Sequence, residues 1–470
     1  MSPTTAAPPP HILVFPYPAQ GHTIPLLDLI HQLCLRNLTN ITIITTPKNL
    51  PTLSPLLTVH PVIGTLVLPF PPHPDLPPGV ENVKEIGNSG NLPIVVSLSK
   101  LHDPIVQWFK SHDNPPVALI SDFFLGFTLQ MAREMGIPRF TFFTSGAYLA
   151  AVADYLWHRP ELAKGMKVVD FVDLPGSPSF TELRLPSTFR RYKPGDPDWE
   201  FFRNGMIANL LSYGCVFNSF EALEFEYLEY VKRKTKVYSV GPLSLLGLNR
   251  EIREDLETGS GHDVFRWLDE CPDGSVLYVC FGSQKLMNKN QMEAVASALE
   301  KSMTRFLWVV KTGTTREEEA GYGLVPGGFE ERVGGRGLVI RGWAPQVQIL
   351  SHRAVGGFLS HCGWNSVLES VVSGVMILGW PMEADQFVDA RLLVDELGVG
   401  VRVCEGADTV PDSVELAGKI AESLSGDVVQ ERVRARGLKD KALVAVRDGG
   451  SSCTDLDGLA KEFFNFLRSS

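Results

Sequence analysis

The stretch from Trp343 to Gln386 limits what this chain can fold into more than any other. An apolar, glycine-bearing run, Val355-Gly356-Gly357-Phe358-Leu359, reads as a buried strand, and His361, Gly363, Trp364, Asn365 and Ser366 mark its exit into a helix. That helix is expected to close at Gly374. A second apolar run, Val375 to Leu378, then ends at Trp380-Pro381 with Asp385 and Gln386 just beyond it. Ligands of open parallel sheets sit outside the carboxyl ends of the strands, and free N–H groups at a helix start attract anions. Both conditions are met here.

With 470 residues, 44% hydrophobic and 20% charged, the chain is long enough for two sizeable cores. Its formal charge of -10, with no lysine or arginine block, argues against nucleic acid or an anionic membrane as partner. An anionic ligand must then be held by local dipoles and hydroxyls. Met1 to Pro10 lacks the basic-then-apolar order of a signal peptide and no apolar run reaches transmembrane length, so a cytoplasmic protein without a membrane span is expected. Seven scattered cysteines (Cys34, Cys215, Cys271, Cys280, Cys362, Cys404, Cys453) show no C-x-x-C spacing, which indicates neither a disulfide framework nor a zinc site. Cys362 reads as a small buried residue. The acceptor-like triplets at Asn37 and Asn40 lead into a strand and are read as accidental.

Taken in order, His11 to Tyr17 is a strand, and Pro25 is expected in the first turn of the helix that carries Leu26, Leu29, Ile30 and Leu33. The turn between them has no G-x-G-x-x-G fingerprint; His22 occupies its place. Asn40 to Thr46 is a strand, Pro69 to Pro74 a surface loop, and Val117 to Ile120 a buried strand ending at Ser121-Asp122. An acidic residue there can cap the next helix, or it can hold the second nitrogen of a histidine that acts as general base. Phe123, Phe124, Phe127, Phe140, Phe142 and Phe143 crowd the following stretch; most read as core, one or two as the lining of a pocket. Residues 158 to 198 suggest long loops. The strand-then-loop pattern recurs at Val276 to Ser283, which is what two stacked doubly wound domains would produce.

The stretch from Trp343 to Gln386 resembles the signature of plant family 1 glycosyltransferases, which move a sugar from a uridine diphosphate donor to a small molecule. The likeness spans all 44 positions and extends to Pro18-Ala19-Gln20-Gly21-His22, Val240-Gly241-Pro242, Phe281-Gly282-Ser283 and Gly449-Gly450-Ser451-Ser452, in that family's order. It implies an α/β protein of GT-B architecture, two Rossmann-like doubly wound domains facing across a cleft. The expected boundaries are an acceptor domain over 1–242, a linker over 243–262, a UDP-sugar domain over 263–450 and a tail over 451–470 that packs back on the first domain. By the same resemblance His22 is the general base and Asp122 its carboxylate partner. Trp343 stacks on uracil and the backbone of Ala344 reads its edge; Gln346 and Glu369 bind ribose. His361, Asn365 and Ser366, with Ser283, hold the diphosphate, while Trp364, Asp385 and Gln386 bind the sugar.

The expected reaction is inverting transfer of a sugar, glucose in view of Gln386, to a hydroxyl of a small phenolic acceptor such as a flavonoid or hydroxybenzoate. No cofactor beyond the UDP-sugar co-substrate and no metal is expected, and the protein is expected to be a monomer. Glu383 stands where the family more often has an aromatic residue and Met376 where it often has Pro. These departures leave xylose, rhamnose or another nucleotide sugar open as donor; another acceptor class, or a UDP-sugar binder without catalysis, is the separate alternative. Asp196-Pro197-Asp198 and Asp455-Leu456-Asp457 spell the D-x-D of metal-dependent transferases, but neither follows a buried strand in the required way. Ser366-Val367-Leu368-Glu369 also spells a capping box, the structural rival for Glu369. An NAD-type oxidoreductase would need the missing glycine fingerprint, and a glycosidase would rest on paired carboxylates.

Overall fold

A computed structural model describes residues 9–163, 165–248, 261–425 and 430–469. The chain forms two compact units: one comprises Met1–Ser179, Arg191–Ile252 and Val444–Ser470, the other Phe180–Arg190 and Arg253–Leu443. The expected linker over 243–262 lies largely outside the described residues; its start, Leu243–Leu245, is a single 3-10 turn.

The first unit is built on a seven-stranded sheet whose order is Gly64–Val67, Ile41–Thr45, Ile12–Phe15, Ala118–Asp122, Arg139–Phe143, Gly214–Phe217 and Lys236–Ser239. Every pairing is parallel. The central strands are buried along their whole length, which is why they read as unbroken apolar runs rather than alternating ones. The order reverses direction between Ile12–Phe15 and Ala118–Asp122, so the carboxyl ends of these two strands border the crevice where such sheets bind ligands. Leu456, Leu459, Ala460 and Phe463 of the Ser451–Ser469 helix belong to this unit's core, with the Phe463 ring 4.9 Å from Phe140. Ser452 Oγ donates to the carbonyl of Gly241 and Asp455 accepts from the Ser239 N–H, fixing the helix to the last strand.

The second unit has a six-stranded parallel sheet ordered Gly337–Arg341, Arg305–Val310, Val276–Cys280, Val355–Ser360, Met376–Gly379 and Gly400–Arg402. Here the order reverses between Val276–Cys280 and Val355–Ser360. The helix after the latter runs from Trp364 to Ser373 and ends as expected at Gly374, whose φ of 70° is left-handed backbone that glycine adopts without steric cost.

Two expectations are corrected. The first helix starts at Gln20, so Pro25 lies in its interior rather than in its first turn and His22 is its third residue, not part of a loop. The region from 158 to 198 is not simply loop: it contains a 3-10 turn at Pro160–Ala163, a short helix at Ser187–Arg190 and the start of a long one at Pro197. Asp196 caps that last helix and Asp198 pairs with the buried His73, while Asp457 pairs with Arg36, so the D-x-D carboxylates serve local structure. Among the described residues no helix is long and apolar enough to cross a membrane.

Candidate active site

At the switch point of the first sheet, Asp122 is the last residue of its strand and fully buried, and His22 is in the first turn of the helix after the neighbouring strand. Their side chains meet: His22 Nδ1 is 2.9 Å from Asp122 Oδ2. Asp122 Oδ1 accepts from the Phe124 N–H at 2.8 Å, which fixes the carboxylate plane. Asp122 therefore does both jobs considered for it, capping the turn that follows and holding the histidine. A carboxylate accepts only, so in the neutral imidazole the ring proton belongs on Nδ1 and the lone pair on Nε2. Thr144 Oγ1 lies 3.2 Å from the same Nδ1. The imidazole is 19% exposed and lies among Phe123, Phe124 and Tyr17, with the Phe123 ring stacked on it at 5.4 Å. Burial holds the Tyr17 phenol well above its ordinary pKa, and the Asp122 charge adds to that. Of the phenylalanines singled out, Phe123, Phe140, Phe142 and Phe143 are buried, while Phe124 and Phe127 are only partly so.

In the second unit the predicted residues fall around the corresponding switch point. Ser283 is exposed just past Val276–Cys280. His361 follows Val355–Ser360, and its ring fits against two glycines: a Cβ on Gly282 or on Gly363 would lie 2.7 Å from Nε2. Its Nδ1 is buried with no hydrogen-bond partner, and burial lowers its pKa to about 4, so the ring is neutral at physiological pH. Cys362, between His361 and Gly363, has a φ of 65°, unusual for a residue with a side chain, and its N–H donates to Ser360 Oγ at 3.1 Å. Its buried thiol, with its pKa pushed far up by burial, is the inert core residue expected.

The Trp364–Ser373 helix begins at Gly363, which offers no side-chain cap. The capping-box rival for Glu369 thus fails, because Ser366 is the third residue of the helix and not its cap. Gln346 engages both residues instead: its Nε2 donates to Glu369 Oε2 at 2.7 Å and to Ser366 Oγ at 3.1 Å, while its Oε1 accepts from the Tyr278 hydroxyl at 3.2 Å. Trp343 stands 65% exposed on the loop before Gln346, where an indole can serve as a stacking platform. The carbonyl of Ala344 accepts from the Gln346 N–H. Trp364 is 3% exposed, so its indole is core and what it presents at the helix start is main chain.

Asp385 precedes the Gln386–Arg391 helix. Gln386 Oε1 accepts from the N–H groups of Met382 and Glu383, each at 2.9 Å, which commits the amide oxygen to the turn. Sequence reasoning did not single out Tyr278, Ser187 or Thr144. Tyr278 could have been found as the one hydroxyl in an apolar strand. Ser187 carries no local signal at all.

Comparison with known proteins now gives this geometry a family. The model of "UDP-glucoronosyl and UDP-glucosyl transferase" matches residues 258–418. UDP-glycosyltransferase 89A2 of Arabidopsis thaliana is 53% identical over 97% of this chain and 96% of its own. Flavonol 3-O-glucosyltransferase UGT89B1 of the same plant is 48% identical over 95% of each. Arabidopsis thaliana UGT89C1, solved in complex with UDP-L-rhamnose and with quercetin, is 39% identical and superposes with a TM-score of 0.78 over 97% of this chain and 99% of its own. With two Rossmann-like units of GT-B type and full-length relatives at this identity, the chain belongs to the plant family 1 UDP-glycosyltransferases.

Proposed function

We propose that the protein transfers glucose from UDP-glucose to a hydroxyl of a small phenolic acceptor, a flavonoid or hydroxybenzoate, with inversion and without a metal ion. The observation that carries this reading is the His22–Asp122 pair: a proton fixed on Nδ1 leaves Nε2 to take the proton of the acceptor hydroxyl. The acceptor oxygen then forms its bond to the anomeric carbon as the bond to the diphosphate breaks, and the electron pair leaves on UDP.

The second unit holds the donor in this scheme. Trp343 stacks on the uracil and the Ala344 main chain meets its edge. Glu369, held by Gln346, takes ribose hydroxyls. The growing charge on the leaving diphosphate is met by the N–H groups that open the Trp364–Ser373 helix, by Ser283, Asn365 and Ser366, and by the neutral His361 acting as a donor. Asp385, the amide nitrogen of Gln386 and the main chain at Trp364 bind the sugar, the Gln386 oxygen being taken by the turn.

The names of its relatives support a phenolic acceptor, one being called a flavonol 3-O-glucosyltransferase and another having been solved with quercetin. UDP-L-rhamnose in the latter's companion structure makes rhamnose the rival donor. The test is incubation with UDP-glucose, UDP-rhamnose or UDP-xylose against a phenolic panel with excess chelator, following UDP release and glycoside mass, with the anomeric configuration read by NMR. Glucoside formed from UDP-glucose with inverted configuration is expected. UDP-sugar binding without turnover on any acceptor would leave a binding protein instead. We further propose a cytoplasmic monomer, to be checked by fractionation and light scattering.

A further inference from the structure

Residues 180 to 190 come from the first half of the sequence yet form part of the second unit. Three contacts anchor them there. Arg184 pairs with Glu405 at 2.8 Å, the Arg391 guanidinium lies 5.5 Å from the centre of the Phe180 ring, and Ser187 closes a two-way clamp on Ala384. In that clamp the Ser187 N–H donates to the Ala384 carbonyl and the Ala384 N–H donates to Ser187 Oγ, each at 3.2 Å. Ser187 is itself buried.

Ala384 needs such a clamp. Its φ is 54°, in the left-handed region that a residue with a Cβ enters only at a cost. It is also the residue immediately before Asp385 and Gln386, in a turn otherwise wrapped around the Gln386 amide by the Met382 and Glu383 N–H groups. The strand side of the turn is held by the Gly406 N–H on the Pro381 carbonyl. Ala384 is thus the point at which the turn could relax, and its N–H is held by the Ser187 hydroxyl.

We infer that Ser187 is a positioning residue for the donor sugar: by holding Ala384 left-handed it sets the direction in which Asp385 and Gln386 are presented. This rests on the reading of those two residues as sugar contacts. The segment that carries Ser187 is covalently continuous on both sides with the acceptor unit, so one short strap ties that unit's sequence to the choice of donor.

The experiment compares KM for UDP-glucose with the inhibition constant of UDP, which lacks the sugar. Ser187→Ala is expected to raise KM about five- to tenfold and to narrow the preference among UDP-sugars, with the UDP constant unchanged. Ser187→Cys, whose sulfur is a poor acceptor, leaves no cavity and should do the same; it decides the matter if the alanine variant melts early. Adding Ala384→Gly to Ser187→Ala should bring KM back to within about threefold of the parent, because glycine holds a positive φ without a clamp. A KM within about twofold of the parent in folded Ser187 variants, a UDP constant that rises in step with KM, or no recovery with glycine would each overturn the inference. Asp385→Ala is the control. If it leaves KM for UDP-glucose unchanged, the sugar-contact reading has failed; if it raises KM and the Ser187 variants do not, only the present inference has failed.

Discussion

Asp122 presents its two oxygens to different partners, Oδ2 to His22 Nδ1 at 2.9 Å and Oδ1 to the Phe124 N–H at 2.8 Å. That division makes Asp122→Asn an unusually clean probe. The main-chain N–H can be met only by the amide oxygen, so the amide nitrogen must face His22 and donate to Nδ1. The ring proton is then driven to Nε2, the atom that has to accept one. We expect kcat to fall by about a hundred- to ten-thousand-fold with UDP affinity within twofold of the parent. Steady-state kinetics and UDP titration check it, and equal loss in His22→Ala is expected because both variants remove the same lone pair.

Gln346 donates one amide nitrogen to both Glu369 and Ser366. Gln346→Glu would place a second carboxylate at the 2.7 Å contact and turn a hydrogen bond into repulsion between like charges. UDP affinity at pH 8 is expected to fall at least tenfold and to recover partly toward pH 5, where the pair can share a proton. Isothermal titration at the two pH values reads this directly; a pH-independent loss would mean that Gln346 acts through shape alone.

His361 supplies a stability signature that does not depend on ligand. Its pKa is lowered to about 4 in the folded protein by burial, against about 6.5 in an unfolded chain. The unfolded state therefore binds the extra proton first, and the stabilisation present above pH 6.5 is lost as pH falls from there toward 4. The slope approaches about 1.4 kcal/mol per pH unit for one proton inside that window. His361→Gln should flatten it by up to that amount. Denaturant melts at half-unit steps between pH 4.5 and 7 make the comparison.

Much of this was legible before any coordinates. The strands are apolar because helices cover both faces of each sheet, and the close of the Trp364 helix at Gly374 follows from glycine's freedom at positive φ. The proposed His22–Asp122 pair was read from the strand ends together with the family resemblance, and a parallel sheet brings the carboxyl ends of neighbouring strands together across 100 residues of sequence. What misled was local capping chemistry. Ala19 caps the first helix with no side-chain bond, so the start at Gln20 has no sequence mark and Pro25 draws the boundary too late. Ser366 and Glu369 also have the spacing of a cap, a rival reading set aside from the sequence, and the helix is in fact capped by Gly363 while Gln346 bonds both side chains from another helix. The Ser187 clamp joins residues 197 positions apart, one bond through the Ser187 hydroxyl and one through its N–H, and no local spacing in the sequence marks so distant a partner.

Gly282 tests how the His361 ring is seated. Its φ of 76° is left-handed, and a Cβ there would stand 2.7 Å from His361 Nε2 and 2.8 Å from Cε1. A Cβ built on Gly363 would also lie 2.7 Å from the same nitrogen, so both glycines leave the ring the room it occupies. Gly282→Ala therefore combines backbone strain of about 1–2 kcal/mol with displacement of the imidazole. UDP affinity should drop at least tenfold, along with a fall in melting temperature. The two contributions separate in a double-mutant cycle: on a His361→Ala background the clash is gone and Gly282→Ala should cost only the strain, with little further loss of UDP affinity. Additive losses of affinity would mean that Gly282 acts on the diphosphate site by a route other than His361, such as the placement of Ser283.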